Sequence, residues 1–151
     1  MRQQGHGRIV NISSVAAPVP IPFQAYYSAG KAAINAYTMA LANELRPFGV
    51  TVCAVMPGDI KTGFTAARHK IIDGDDIYQG RIGRSVLRME HNEQTGMDPA
   101  KVGRYIAAVA SREGSHHPLY ATRIDYKFFV FLTKVLPARF LNWLIYQLYG
   151  K

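Results

Sequence analysis

At 151 residues the chain is long enough for one domain that removes roughly two-thirds of its unfolded surface from water. With 48% hydrophobic and 19% charged residues it is too apolar to stay disordered, and its one cysteine, Cys53, excludes an internal disulfide and fits the reducing cytoplasm. The net charge of +8 fits an anionic partner, but the basic residues are scattered without a helix-turn-helix, zinc or RNA-recognition signature, which argues against nucleic acid.

The opening residues, MRQQGHGRIVNISS, hold no apolar stretch of signal-peptide length, so secretion is not expected. RIVNI, Arg8 to Ile12, is a β-branched run bounded by Gly7 and Ser13-Ser14 and predicts a buried strand. APVPIP predicts a loop, because Pro18, Pro20 and Pro22 can continue neither a ladder nor a helix. Gln24 to Arg46, rich in Ala, Leu, Met and Tyr, predicts a helix that RPFG ends. VTVCAVM, Val50 to Met56, predicts a strand covered on both faces and stopped by PGD. Strand, helix, strand is the βαβ pattern of a parallel sheet, so the fold class is α/β.

From Lys61 to Thr95 the sequence is polar and irregular and reads as mobile loop with short helix. Asp98 as N-cap, Pro99 at the first helical position and apolar Val102, Tyr105, Ile106 and Val109 predict a second long helix. PLYATRI allows a further short strand. The aromatic remainder predicts one or two helices broken at Pro137.

The chemistry concentrates in YYSAGK. Residues four apart share one face of a helix, so the Tyr27 hydroxyl and the Lys31 ammonium can meet at one site. A neighbouring cation favours a phenolate, and a phenol so placed can give or take a proton. Ser13 and Ser14 follow the first strand and Pro57-Gly58 the second, and parallel sheets bind ligands beyond the carboxyl ends of their strands. One crevice is expected to gather them.

From Gly7 to Thr62 the chain resembles the second half of a short-chain dehydrogenase/reductase. The resemblance rests on the NISS strand end, a serine 13 residues before the tyrosine, Y-x-x-x-K, and P-G-x-I-x-T, in that order. It implies an oxidoreductase that interconverts an alcohol and a carbonyl with NAD or NADP. Ser14 would then bond the reacting oxygen, Tyr27 would act as general acid or base, and Lys31 would assist Tyr27 and hold the nicotinamide ribose. Pro57 and Gly58 would shape the nicotinamide pocket, with Ile60 and Thr62 near the carboxamide. Tyr26 and Ser13 fit the spacing less well, and Asn11 reads as structural, its side chain tying adjacent backbone.

The resemblance also implies a partial Rossmann-like, doubly wound sheet over residues 1–125, with residues 126–151 as an aromatic, basic helical tail packed on it. The family's TGxxxGxG turn and NNAG motif do not occur in the sequence, and the chain starts where the helix before the serine strand would end. The reading is of a catalytic C-terminal half whose cut sheet exposes apolar surface and self-associates; the full-length form would be a homo-oligomer. A non-enzymatic remnant acting as an interaction or membrane-surface module is the alternative.

The substrate is expected to be a small lipophilic alcohol or carbonyl. The tail offers two readings: Phe128, Phe131, Leu132, Trp143 and Leu144 pack on the fold and wall the pocket, or the tail lies on a lipid surface beside its cations. Packing is the preferred one. The longest uncharged run there, Phe140 to Gly150, has 11 residues, short of the ~20 needed to span a bilayer. His6, His69, His91, His116 and His117 lack a metal-ligand spacing, and DGDD reads as a surface turn.

Overall fold

Val50–Met56 can occupy the centre of a sheet because its uncharged, mostly β-branched side chains tolerate cover on both faces. In the computed structural model, which describes residues 1–71, 73–112 and 117–151, this strand (β2) lies between β1 (Gly7–Ile12) and β3 (Leu119–Ala121). All three run parallel, with Gly7 opposite Val50, Ile12 opposite Val55 and Ala54 opposite Leu119. Val52, Cys53, Ala54, Val55 and Met56 are buried, and full burial of a valine contributes roughly 1.5–3 kcal/mol. Composition makes Arg8–Ile12 a buried strand, but β1 is half-buried and Ile12 exposed, because it is an edge strand paired on one side.

Helix α1 (Ala25–Leu45) connects β1 to β2. Pro47 turns its end into a 3-10 turn, Arg46–Phe48, and Gly49 follows at φ 66°. A Cβ there would lie 2.2 Å from the Gly5 carbonyl oxygen, so glycine is required by both backbone angle and space.

Successive side chains of a strand face opposite sides of the sheet. Asn11 Nδ2 donates to Thr38 Oγ1 of α1 at 2.9 Å, so its partner is a buried helix hydroxyl and not the neighbouring backbone that the sequence implies. Arg8, on the other face, donates through Nη1 to Val109 O of α4 (Pro99–Ala110) at 2.5 Å. The two helices therefore cover opposite faces, as in a doubly wound fold. Cys53, Val55, Val109 and Tyr120 form the core on the α4 side, with Val10, Tyr105 and Ile106 packed against it. Helix α4 begins as its sequence predicts, with Asp98 accepting the Ala100 N–H at 2.8 Å and Pro99 in the first turn.

Lys61 to Thr95 holds more helix than its polarity implies: α2 (Phe64–Ala67) and the fourteen-residue α3 (Arg81–Gln94). Ile82, Val86 and Met89 carry the helical spacing, but Gly80, Gly83 and the intervening charges obscure it. Asp75, in the DGDD turn, accepts the N–H groups of Ile82 at 2.9 Å and Gly83 at 3.2 Å and so satisfies the start of α3 from outside the helix. Ile72 and His116 lie outside the described residues.

The chain closes with α5 (Ile124–Val135), α6 (Ala138–Ile145) and a single π-turn, Tyr146–Gly150, with the break at Pro137. Helix α5 starts before residue 126, where the sequence places the tail. Asn92 donates to the Tyr149 hydroxyl at 3.1 Å and Arg84 to the Lys151 carbonyl at 3.2 Å, which fastens the chain end to α3. Leu132 and Leu144 are half-buried, whereas Phe128, Phe131 and Trp143, read from sequence as packed, are more than half exposed. No helix among the described residues is long and apolar enough to cross a membrane.

Thr38 is fully buried and its hydroxyl both accepts from Asn11 and donates to Ile34 O at 2.7 Å. Thr38→Val keeps the shape but strands the Asn11 amide, so urea unfolding should show a loss of about 1–3 kcal/mol; an unchanged midpoint would remove this tie between sheet and helix from the account.

Candidate active site

Because β1 and β2 are parallel and in register, their carboxyl ends emerge side by side. The pairing continues past the strands: Ser13 N donates to Val55 O at 2.8 Å and Val15 N to Pro57 O at 3.0 Å. The backbone carrying Ser14 is thus fixed against the backbone carrying Pro57 and Gly58. Ser14 is buried, and its Oγ accepts the Ala16 N–H at 3.1 Å, which leaves the hydroxyl proton available to a ligand.

Helix α1 is joined to the same strand end through Lys31. Its Nζ donates to Ile12 O at 3.0 Å, and its own carbonyl accepts the buried Ser13 hydroxyl at 3.1 Å. Ser13 is therefore occupied in holding helix to strand. Lys31 Nζ lies 5.7 Å from the centroid of the Tyr27 ring. Tyr27 is 44% exposed, whereas Tyr26 is 97% exposed. Below this pair, Ser28 Oγ accepts the Ile21 N–H at 3.3 Å, drawing the proline-rich loop against the helix start.

Ser14, Tyr27, Lys31, Pro57, Gly58, Ile60 and Thr62 all line one cleft of about 760 Å³, and Tyr26 and Ser13 reach it as well. The far side is apolar, built from Ile21 and Phe23 of the loop and Ile82, Val86 and Met89 of α3. Glu93 of α3 ties this wall together, accepting from Thr65 at 2.7 Å and pairing with Arg68 at 2.5 Å, while Glu90 pairs with Lys70 at 2.7 Å. Sequence reasoning missed this clasp; the Ile82, Val86, Met89 and Glu93 spacing is the signal that could have found it.

A second unforeseen group holds the Pro57–Thr62 turn. Asp59 O accepts Met97 N at 2.9 Å and Met97 O accepts Lys61 N at 3.0 Å, so the turn is clipped to the chain before α4. From α5, the Tyr126 hydroxyl accepts the Asp59 N–H at 3.0 Å and donates to Asp59 Oδ2 at 3.3 Å. Burial pushes the Asp59 carboxyl above its ordinary range and the Tyr126 phenol upward too. The ring rests on Gly58, where a Cβ would sit 2.0 Å from Tyr126 Cζ. Asp59 and Tyr126 are 67 apart in sequence, and no local pattern announces the contact.

A family model described as short chain dehydrogenase matches residues 1–72, the stretch that carries β1, α1, β2 and the Pro57–Thr62 turn. The chain is 36% identical over 146 residues to the 3-ketodihydrosphingosine reductase of Bacteroides thetaiotaomicron, an alignment covering 95% of this chain and 51% of that protein. Together these likenesses support the chain as a member of the short-chain dehydrogenase/reductase family. A short-chain dehydrogenase from Streptomyces avermitilis superposes with a TM-score of 0.70 at 27% identity, over 97% of this chain and 52% of that one. The 3-oxoacyl-[acyl-carrier-protein] reductase of Synechocystis is 51% identical over 65 residues, 43% of this chain and 26% of that protein. The chain thus spans about half the length of the Bacteroides reductase and of the Streptomyces short-chain dehydrogenase.

The close seat of Tyr126 on Gly58 makes a testable pair. Gly58→Ala should destabilise by about 1–3 kcal/mol through overpacking, and in Gly58→Ala/Tyr126→Ala most of that loss should disappear relative to Tyr126→Ala alone. Additive losses in urea unfolding would mean that the ring does not set the shape of the turn.

Proposed function

We propose that this cleft interconverts a carbonyl and an alcohol with NAD or NADP, the dinucleotides used by the family. The observation that carries the proposal is the gathering of Ser14, Tyr27, Lys31 and the Pro57–Thr62 turn around one cleft, with the Lys31 ammonium beside the Tyr27 ring. The donor set suits the nicotinamide end of such a molecule. Lys31 commits one of its three N–H donors to Ile12 O and offers the others to a ribose diol. The Thr62 hydroxyl accepts the Phe64 N–H at 3.2 Å and keeps its proton for a carboxamide, with the Ile60 backbone beside it. Pro57 and Gly58 give a wall without polar side chains.

When bound, NAD(P)H supplies the hydride. In reduction, Ser14 Oγ–H donates to the carbonyl oxygen and orients it. The Tyr27 hydroxyl gives its proton to that oxygen as negative charge develops there, and the Lys31 ammonium stabilises the phenolate left behind. Oxidation of the alcohol runs the same transfers in reverse. The chain's Ser13 hydroxyl takes no part, being bonded to Lys31 O.

The substrate proposed is a lipophilic 3-keto compound. Phe23, Phe64, Ile82, Val86 and Met89 offer an apolar wall to its chain, and the names of the Bacteroides and Synechocystis relatives both denote ketones on acyl-derived chains. The whole protein is proposed to be cytoplasmic and a homo-oligomer; association is supported by α1, which buries only Ser28, Asn35 and Thr38 and exposes Tyr37 and Met39.

In the whole protein, Tyr27→Phe should lower kcat by about 10²–10⁴-fold while the thermal shift produced by NADPH or NADH persists. Retained turnover would refute the assignment of Tyr27. An absence of any thermal shift with either dinucleotide would favour the non-enzymatic interaction module instead.

A further inference from the structure

Helix α5 has two unlike sides. Its inner side puts Tyr126 on Gly58 and Asp59. Its outer side carries Ile124, Phe128, Phe131 and Val135, at i, i+4, i+7 and i+11, which a helix of 3.6 residues per turn stacks into one stripe. These four are 83%, 57%, 56% and 54% exposed, so the stripe is open along the whole helix.

Lys127 and Lys134 sit two turns apart on the flank of the stripe, each three residues beyond a stripe member, and both line a groove of about 550 Å³ between α4 and α5 together with Phe131, Val130, Tyr105 and Arg112. The ion pairs among the described residues are Arg68–Glu93, Lys70–Glu90 and Arg123–Asp125, so neither lysine belongs to one. No acidic residue follows Asp125, while Lys127, Lys134, Arg139 and Lys151 do. Beyond Pro137, Phe140 and Trp143 stack at 5.7 Å and are half exposed.

We propose that the outer side of α5, with its lysine flank, docks on an anionic lipid bilayer surface. An apolar aromatic stripe bordered by lysines is the composition of an interfacial helix. Twelve residues span about 18 Å, so the helix lies along the interface and does not cross it. A second copy of the chain fits the same surface poorly, since pairing two outer sides would bring the lysines together, and Asp125, the one acidic residue of α5, is already paired with Arg123. The groove extends the apolar surface inward from Phe131 and suits an acyl chain beneath an anionic headgroup. The inference uses the outer side of α5 and the groove beside it, and stands apart from the catalytic reading.

The test is flotation of the whole protein with vesicles of phosphatidylcholine alone and of phosphatidylcholine with phosphatidylglycerol, at low and high salt. The protein should float with the anionic vesicles, and salt should weaken the binding. Lys127→Gln/Lys134→Gln should weaken it by about fivefold per lysine and reduce its salt dependence. Phe128→Ser/Phe131→Ser should abolish it with the circular dichroism and unfolding midpoint retained, as these side chains are already exposed; if that variant misfolds, the lysine variant decides the matter. Three results would overturn the proposal: no flotation with anionic vesicles, binding unchanged in the lysine variant, or a light-scattering dimer that Phe128→Ser/Phe131→Ser converts to monomer.

Discussion

The candidate site depends on the two-way tie between Lys31 and the end of β1. Through its ammonium the residue holds the Ile12 carbonyl, and through its carbonyl it holds the Ser13 hydroxyl. A helix of 21 residues is thereby fixed in rotation and in depth against a strand whose register with β2 is already set. Asn11 to Thr38, two turns further along, keeps the helix from pivoting about that point. Tyr27 and Ser14 face one cleft because of this, and neither needs to hold its own element in place. The buried β2 provides the rigidity on which such placement relies.

The opposite rim of the cleft is positioned by residues from distant parts of the chain. Tyr126 presses on Gly58 and bonds Asp59, and Met97 clips the same turn from the other side. Glu93 and Glu90 hold the α2 segment to α3. The wall that would meet a substrate is thus fastened by ion pairs and hydrogen bonds more than by core packing. Such fastenings are weaker and open at lower cost than the sheet, which suits a surface that must admit a ligand.

The sequence made legible whatever depends on local pattern. Val50 to Met56 could be read as a covered strand because apolar continuity and β-branching are properties of neighbouring residues, and Asp98-Pro99 announced a helix start by the same logic. That Ser14, Tyr27 and Lys31 would meet at one cleft was legible through fixed spacing. What escaped were relations between residues far apart. Tyr126 has no signature that points to Gly58, and Asn11 gives no sign that its partner is Thr38 on a helix 27 residues away. Helix α3 escaped because Gly80, Gly83 and its charges dilute a real apolar spacing, and because its start is satisfied by Asp75 from outside the helix. The aromatic tail misled in the other direction: hydrophobicity implies burial for Phe128, Phe131 and Trp143, but exposure is decided by whether another element covers them.

The cleft is proposed to hold a nicotinamide ring against the Pro57–Thr62 turn with its ribose on Lys31 and its reactive face toward Tyr27 and Ser14. The most direct test is a crystal structure of the whole protein with NADPH. Ribose hydroxyls are expected within hydrogen-bond distance of Lys31 Nζ, and the carboxamide at Thr62. A nicotinamide lying outside this cleft, or turned so that its reactive carbon faces away from Tyr27, would contradict it.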